Sequence, residues 1–560
     1  MSVKNKLRNI LWILLIVLSM NACKQNSEQT AGKTEKFKAM SADTEFDVVI
    51  LNGRVLDPET NFDGIRNVGI KDGIIGLITE KDIKGKETID ATAHAVVPGF
   101  IDVHQHCVDP YIYRLMVRDG RTTIMDLESG AYGPKVGEWY KAREGKAPIN
   151  FGVSSSHEFA RASVIDGFKD WKFFNTPDAL ASRVKQGWSK TRPTLEQGNQ
   201  ILTEVDEGLR MGAIGVGSTL GYMREGVSAR EIFEVQKLSA SYGRQTNMHF
   251  RGTPGTDVAE TNGIQEMLAN AAALNAPAIA CHFNNPGYNM VHELLVRMRD
   301  QGYNVYGELY PYAAGSTALN AVFLTPEYWV DKLGNKYEET LLDVQTNTFF
   351  TRESYEKMKK TDPTRPVVVY KMPESAVVEW LKLPGVAIAS DGMPLIPWDG
   401  LKWDTPYEDL PNAHPRSAGA YAKCFRLARE NNIPLMQIVA MTSYNHAKHL
   451  GEMGLKAMQV RGRMQEGMVA DITIFDPETI RDNSTYAKGT IPSTGIPHVI
   501  VNGVVIMKDS EPLKGVNPGQ PIRFPVEETG KFTDISVEVW DKEYTVVPMD
   551  MGGSVVDGSN

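Results

Sequence analysis

His104 and His106 stand two residues apart, at the end of the apolar run Val96-Val97-Pro98-Gly99-Phe100-Ile101-Asp102-Val103. In a strand, residues i and i+2 share a face. Both imidazoles therefore point the same way from the end of a buried strand. Two neutral imidazoles a few ångströms apart can bind one divalent metal, most often zinc. A single His-x-His on a strand is more often structural than ligating, so the pair needs company. Four other segments supply it. Gln245-Thr246-Asn247-Met248 runs into His249, and Ala278-Ile279-Ala280-Cys281 runs into His282. Val386-Ala387-Ile388-Ala389-Ser390 runs into Asp391, and Thr122-Thr123-Ile124-Met125-Asp126-Leu127 runs into Glu128. Four of the eleven histidines thus fall at expected strand ends, with two carboxylates. Packing alone rarely produces that coincidence.

The chemistry follows from the ligand types. Zinc held by histidine and carboxylate, with one open position, lowers the pKa of bound water toward 7 and polarises a carbonyl. Hydroxide then attacks an amide at neutral pH. A nearby carboxylate takes the proton and returns it to the leaving amine. Asp391 is the candidate for that base.

The elements that must position these groups show in the alternation of patterns. Helical stretches are read at Ser228–Tyr242, Ile264–Leu274, Met290–Gln301, Ser417–Asn431 and Leu435–Leu450. Short apolar strands separate them at Ala213–Gly217, Gln245–His249, Ala278–His282, Asn304–Leu309 and Val386–Ser390. Such alternation predicts a parallel sheet closed into a (β/α)8 barrel, whose catalytic groups sit at the C-terminal strand ends. Both ends of the folded region carry hairpin signals: Asn52-Gly53, Asp72-Gly73 and Asn502-Gly503 between apolar runs. These turns need positive φ at both central residues. The organisation read is a small β-sandwich from residues 46–97 and 460–510 around a catalytic barrel over 98–459. A polar, helix-leaning insertion at about 325–366 lies over the barrel mouth, and an irregular tail of no assigned role fills 511–560.

The chain has 560 residues, 42% hydrophobic, with a formal net charge of −9. That length holds one barrel-sized domain and a smaller one. The acidic balance argues against a nucleic-acid partner. Residues 1–22 read as a signal peptide: Lys4, Lys6 and Arg8 precede the apolar run Ile10 to Leu18, and Ala22-Cys23 follows. A cysteine directly after the cleavage point resembles a bacterial lipobox, which makes Cys23 the expected lipidation site. Residues 23–45 read as a polar tether. The expectation is an exported cell-envelope or periplasmic lipoprotein that meets the membrane only through its lipid. With Cys23 lipidated, three cysteines remain, an odd count that gives no disulfide framework. Cys107 and Cys281 neighbour expected ligands, and strand alternation turns both toward the helix layer.

The order of a His-x-His, two later single histidines and a late Asp resembles the amidohydrolase superfamily, and within it the N-acyl-D-amino-acid deacylase group. The matching stretches are Gly99 to His106, His249-Phe250-Arg251, Tyr310-Pro311-Tyr312, Ser390-Asp391-Gly392 and His414-Pro415-Arg416. Met441-Thr442-Ser443, Ala470-Asp471-Ile472, Phe475-Asp476-Pro477 and Ile500-Val501-Asn502-Gly503 also fit, so the resemblance covers residues 46–506. It implies that His249 and His282 hold the tighter metal. His104, His106 and Asp391 would form a second, weaker site, with Asp391 as proton shuttle. Tyr310, Ser316 and Arg416 would hold the substrate's α-carboxylate, a role that suits a planar guanidinium. One or two zinc ions are implied, with manganese or another divalent ion as an alternative. The expected partner is a small N-acyl amino acid, or a peptide-like fragment with a D residue.

Two positions depart from the group. It usually has a bridging cysteine after the second strand, where this chain has Asp126-Leu127-Glu128. Glu128 is the expected replacement, since a carboxylate bridges two metals as a thiolate does. The group often has a lysine two residues after the second single histidine, where this chain has Asn284. Among other histidines, His157 lines the mouth or is packed, His414 orients the Arg416 loop, and His446 and His449 sit on a solvated helix face. The competing functions are a dihydroorotase-like or dipeptidase-like amidohydrolase and a non-catalytic ligand-binding surface lipoprotein. The first often needs a carboxylated lysine bridge, and no lysine stands at a suitable strand end. The second does not need the full ligand set.

Overall fold

Eight short parallel strands run round a barrel: β1 (Phe100–Asp102), β2 (Arg121–Ala131), β3 (Asn150–Ser156), β4 (Gly215–Ser218), β5 (Gln245–Met248), β6 (Ala278–Ala280), β7 (Val305–Leu309) and β8 (Ala387–Ile388). Each pairs with the next in chain order. The computed structural model describes residues 37–106, 112–171, 181–252, 263–392 and 402–544. The expected signal peptide, Cys23 and Cys107 lie outside them. The chain divides into Met1–Met40 and Ser41–Asn560, and everything below belongs to the second unit.

Hydrogen bonds at and just past the strand ends join β8 to β1. The Ser390 N–H donates to Asp102 Oδ1 at 3.0 Å, and the His106 N–H donates to the Gly392 carbonyl at 3.1 Å. Asp102 also accepts from the His104 N–H and pairs with Arg121, both fully buried. One buried carboxylate therefore fixes the backbone of the His-x-His segment and ties it to the segment that carries Asp391.

The helices outside follow the apolar periodicity. Ser228 caps Ala229–Ser241 by accepting from the Glu231 N–H, and Ile232, Val235 and Leu238 face inward. The segment read as one helix over Leu435–Leu450 is interrupted. Leu435–Val439 and Asn445–Glu452 flank a wider π turn at Ala440–Tyr444. Its histidines correct the expected solvated face. Both are 1% exposed. His446 Nε2 meets the Ile388 carbonyl at 2.8 Å, and His449 bridges Asn304 Oδ1 and Gln245 Oε1, each at 2.6 Å. This helix lies against the starts of β5 and β7, so polar side chains on it find buried partners.

The smaller domain is a nine-stranded sheet from both ends of the folded region, with Ala95–Pro98 paired antiparallel to Ile472–Phe475 at the seam. Asp72-Gly73 and Asn502-Gly503 form two-residue hairpin turns, with φ of 50° and 81°, and of 49° and 79°. Asn52-Gly53 does not turn the chain. It is a bulge inside the single strand Glu45–Asp57, which pairs with Phe62–Lys71 on either side of it. Gly53 is there for closeness: a Cβ would lie 2.3 Å from Val96 Cγ2.

The insertion between β7 and β8 is wider than the sequence suggests. It carries a four-stranded antiparallel sheet of Ala314–Ala318, Pro366–Tyr370, Leu341–Asp343 and Thr348–Phe349, besides the helix Arg352–Thr361. Among the described residues no helix is long and apolar enough to cross a membrane.

Candidate metal centre

The two histidines of the His-x-His face one another, with Nε2 atoms 3.2 Å apart. His104 Nδ1 meets the carboxylate of Glu308, a fully buried residue of β7. His106 Nδ1 lies 3.6 Å from Asp126 Oδ1. A carboxylate on Nδ1 keeps the ring proton there and leaves a lone pair on Nε2. Two further acceptors close on these lone pairs. Asp391 Oδ1 lies 3.1 Å from His106 Nε2, and Glu128 Oε2 lies 3.2 Å from His104 Nε2. Four acceptors with no donor among them fit a cation.

Glu128 faces a second such group with its other oxygen. Oε1 lies 2.8 Å from His282 Nε2 and 3.0 Å from His249 Nδ1. One carboxylate thus offers an oxygen to each of two adjoining sets: His104, His106 and Asp391 on one side, His249 and His282 on the other. All six candidate ligands meet within one cluster at the C-terminal end of the barrel.

Local backbone explains how they converge. His282 and Asp391 follow their strands with φ of 28° and 49°, in the left-handed region where His and Asp are over-represented. That break in alternation turns His282 inward without turning its neighbour out. Cys281 shares the barrel interior with Ile279, Ile101, Val103 and Leu127, near His104 and Glu308, and does not face the helix layer expected for it. His249 packs against bare backbone: a Cβ on Gly221 would lie 2.4 Å from its Cδ2.

The electrostatics agree with a site short of positive charge. Burial works against charging His106, yet Asp126 and Asp391 push it up to about 9. Burial likewise opposes the Glu128 and Asp391 carboxylates, and their neighbours still hold both low: the His104 and His282 rings for Glu128, the Arg416 guanidinium and the His104 ring for Asp391. Burial and His282 take His249 down to about 4, leaving it neutral and ready to ligate.

The expected carboxylate pocket lies beside this cluster. Arg416 NH1 is 2.7 Å from Asp391 Oδ2, and the guanidinium sits 4.7 Å from the centre of the Tyr310 ring. Its buried Nε has no hydrogen-bond partner. His414 orients this segment as expected: Nδ1 accepts from the Arg416 N–H at 3.1 Å and Nε2 meets the Ala314 carbonyl at 3.0 Å. Ser316 meets Arg416 through its main-chain carbonyl. Asn284 is buried and gives its Nδ2 to the carbonyls of Tyr310 and Tyr312, so it braces the Tyr310 loop. His157 is packed, between Ser218 Oγ and Glu231 Oε1 at 3.0 Å each. Tyr222, whose ring lies 4.8 Å from that of His249, lines a shallow open cleft with Trp188, Thr317 and Ala321.

Sequence reasoning missed Glu308 and Lys371. Glu308 had a signal, a lone carboxylate inside the apolar run Val305–Leu309. Lys371 had none. It follows the inserted strand Pro366–Tyr370, its Nζ sits 5.2 Å from the centre of the Tyr310 ring, and burial takes it down to about 7.

The barrel, the added sheet and a cluster fit for divalent metal at the strand ends are the architecture that the resemblance to the amidohydrolase superfamily implied. No family model matches the chain. It is 25% identical to the D-aminoacylase of Alcaligenes xylosoxydans xylosoxydans over 493 residues, 83% of this chain and 95% of that one. It is 22% identical to the N-acyl-D-glutamate deacylase of the same organism over 511 residues, 85% of this chain and 96% of that one. The crystal structure of N-acyl-D-glutamate deacylase from Bordetella bronchiseptica, complexed with zinc and a phosphonate inhibitor, superposes with a TM-score of 0.69. Identity there is 22%, covering 86% of this chain and all of that one. The chain is a homologue of these deacylases.

Proposed function

We propose that the protein is a zinc-dependent deacylase of N-acyl-D-amino acids, or of a D-residue fragment with a linear N-acyl amide. The observation that carries this reading is the Glu128 carboxylate, set between two histidine groups with Asp391 beside one and Arg416 beside Asp391. His249 and His282 would hold the tighter ion, and His104, His106 and Asp391 the second, with Glu128 shared. Imidazole ligands suit zinc, while the oxygen bridge leaves room for manganese. A bound divalent ion lowers the pKa of water toward 7 and polarises the amide carbonyl.

The residues of the chain supply the remainder. Asp391 takes the proton of the attacking water on its carboxylate and passes it to the leaving nitrogen, so the amine departs neutral. Glu308 keeps the Nδ1 proton on His104 and holds that ring in its ligating orientation. Arg416 and Tyr310 grip the α-carboxylate and fix the amide relative to the ligands, which turns encounter into a positioned reaction.

The test is amine release from N-acetyl-D-leucine by chelator-treated protein before and after adding zinc. Activity that returns with the metal in the native chain, and not in His249→Ala, supports the reading. Undiminished activity in His249→Ala rejects it. We also infer export with lipid on Cys23, supported by the basic, apolar and Ala22-Cys23 sequence. Cys23→Ala should then lose fatty-acid label and leave the membrane fraction.

A further inference from the structure

The carboxylate pocket contains a cation that the deacylase motifs do not provide. Lys371 and Arg416 both lie against the Tyr310 ring, at 5.2 and 4.7 Å from its centre. Three other cations near the mouth are matched: Arg416 by Asp391, Arg183 by Glu158, Arg251 by Glu266. Among the described residues the Lys371 ammonium makes no ion pair and no hydrogen bond. A partly buried charge without a partner is costly, and an anion entering the pocket would supply the partner.

Gly315 shows that Lys371 and the Tyr310 hydroxyl approach the same place. A Cβ on Gly315 would lie 2.9 Å from the Tyr310 hydroxyl and 3.7 Å from Lys371 Nζ. The Tyr310 hydroxyl and the Lys371 ammonium therefore converge on the side of Gly315 where another residue would carry its side chain. A carboxylate lying outside the glycine's own contact distance, between the two donors, accepts from both. Asn284 cannot do this work, because its Nδ2 is spent on the Tyr310 and Tyr312 carbonyls.

We propose that Lys371, reaching in from the inserted sheet, binds the substrate's α-carboxylate together with Tyr310 and Arg416, in place of the lysine absent at Asn284. The proposal rests on the deacylase reading of the same site. It makes the insertion a contributor to substrate selection.

The experiment compares native protein, Lys371→Met and Lys371→Arg, zinc-loaded, on N-acetyl-D-leucine and on N-acetyl-D-leucinamide, which lacks the carboxylate charge. Lys371→Met should raise KM for the acid roughly tenfold to a hundredfold, the size of one charge-assisted hydrogen bond, with kcat held. It should leave kcat/KM for the amide unchanged, and Lys371→Arg should recover most of the acid's KM. Equal losses on both substrates, or no loss on the acid, overturn the proposal. Calorimetric binding of N-acetyl-D-leucine separates it from the deacylase reading. Lysine-dependent binding without turnover in any of the proteins keeps the proposal and rejects the reading, whereas binding indifferent to Lys371, or no binding to native protein, rejects the proposal.

Discussion

Glu128 is the residue on which the centre turns. Its two oxygens lie 2.8 Å from His282 and 3.2 Å from His104, so its loss removes a ligand atom from both groups. Glu128→Ala should lower bound metal by at least one ion per chain in elemental analysis and cut kcat/KM by about a hundredfold or more. Glu128→Cys, which restores a bridging donor as a thiolate, should hold more metal than the alanine variant. Unchanged metal content in Glu128→Ala would remove Glu128 from the centre. At this scale the sequence was most legible where residue type and strand position agree, as at His104, His106, His249, His282, Glu128 and Asp391. It was least legible where backbone leaves the strand. Cys281 faces the interior with Ile279, and the φ of 28° at His282 turns that histidine inward as well, against the alternation that would have put the two on opposite faces. Lys371 comes from an element with no motif and reaches the site only through tertiary structure.

At the scale of elements, the barrel strands hold ligands while the connections between them set the fit. Gly221, in the segment after β4, leaves no space beside His249: an added Cβ would lie 2.7 Å from the ring Nε2. Gly221→Ala should displace that ring by a few tenths of an ångström to an ångström and lower kcat/KM roughly tenfold to a hundredfold, with little change in thermal midpoint. A lost midpoint with native activity per folded molecule would show that the contact serves folding instead. Seven of the eight barrel strands were readable from apolar runs. The eighth, Asn150–Ser156, was hidden by Ser154-Ser155-Ser156, which is buried yet polar. Its hydroxyls are satisfied by carbonyls such as Leu127 O and Val205 O. The inserted sheet was obscured because its strands are two to five residues long and the helix Arg352–Thr361 dominates the local pattern.

For the whole molecule, the chain ends fasten what its middle positions. Asp471, part of a deacylase-like motif, is buried and joins sheet to barrel through Arg461, Asn150 and the Asn502 N–H, at 2.7–2.8 Å. That motif is legible as sequence, but only packing shows its work to be structural. The tail, which sequence left without a role, laces the barrel. Ile522 N–H donates to the Phe151 carbonyl at 2.7 Å, and its fully buried side chain packs with Ile101, Met125, Ile214 and Ile279. Ile522→Ala should destabilise the fold by about 2–5 kcal/mol, read by denaturant unfolding, with KM and metal content unchanged in the folded fraction. An unaffected unfolding midpoint would mean the tail is an appendage.

The most direct measurement of the central claim is amine release from matched N-acetyl-D- and N-acetyl-L-leucine, by the protein without residues 1–22, with and without zinc. The account predicts release from the D substrate alone and only with metal. Release from neither, or equal release from both, would contradict it.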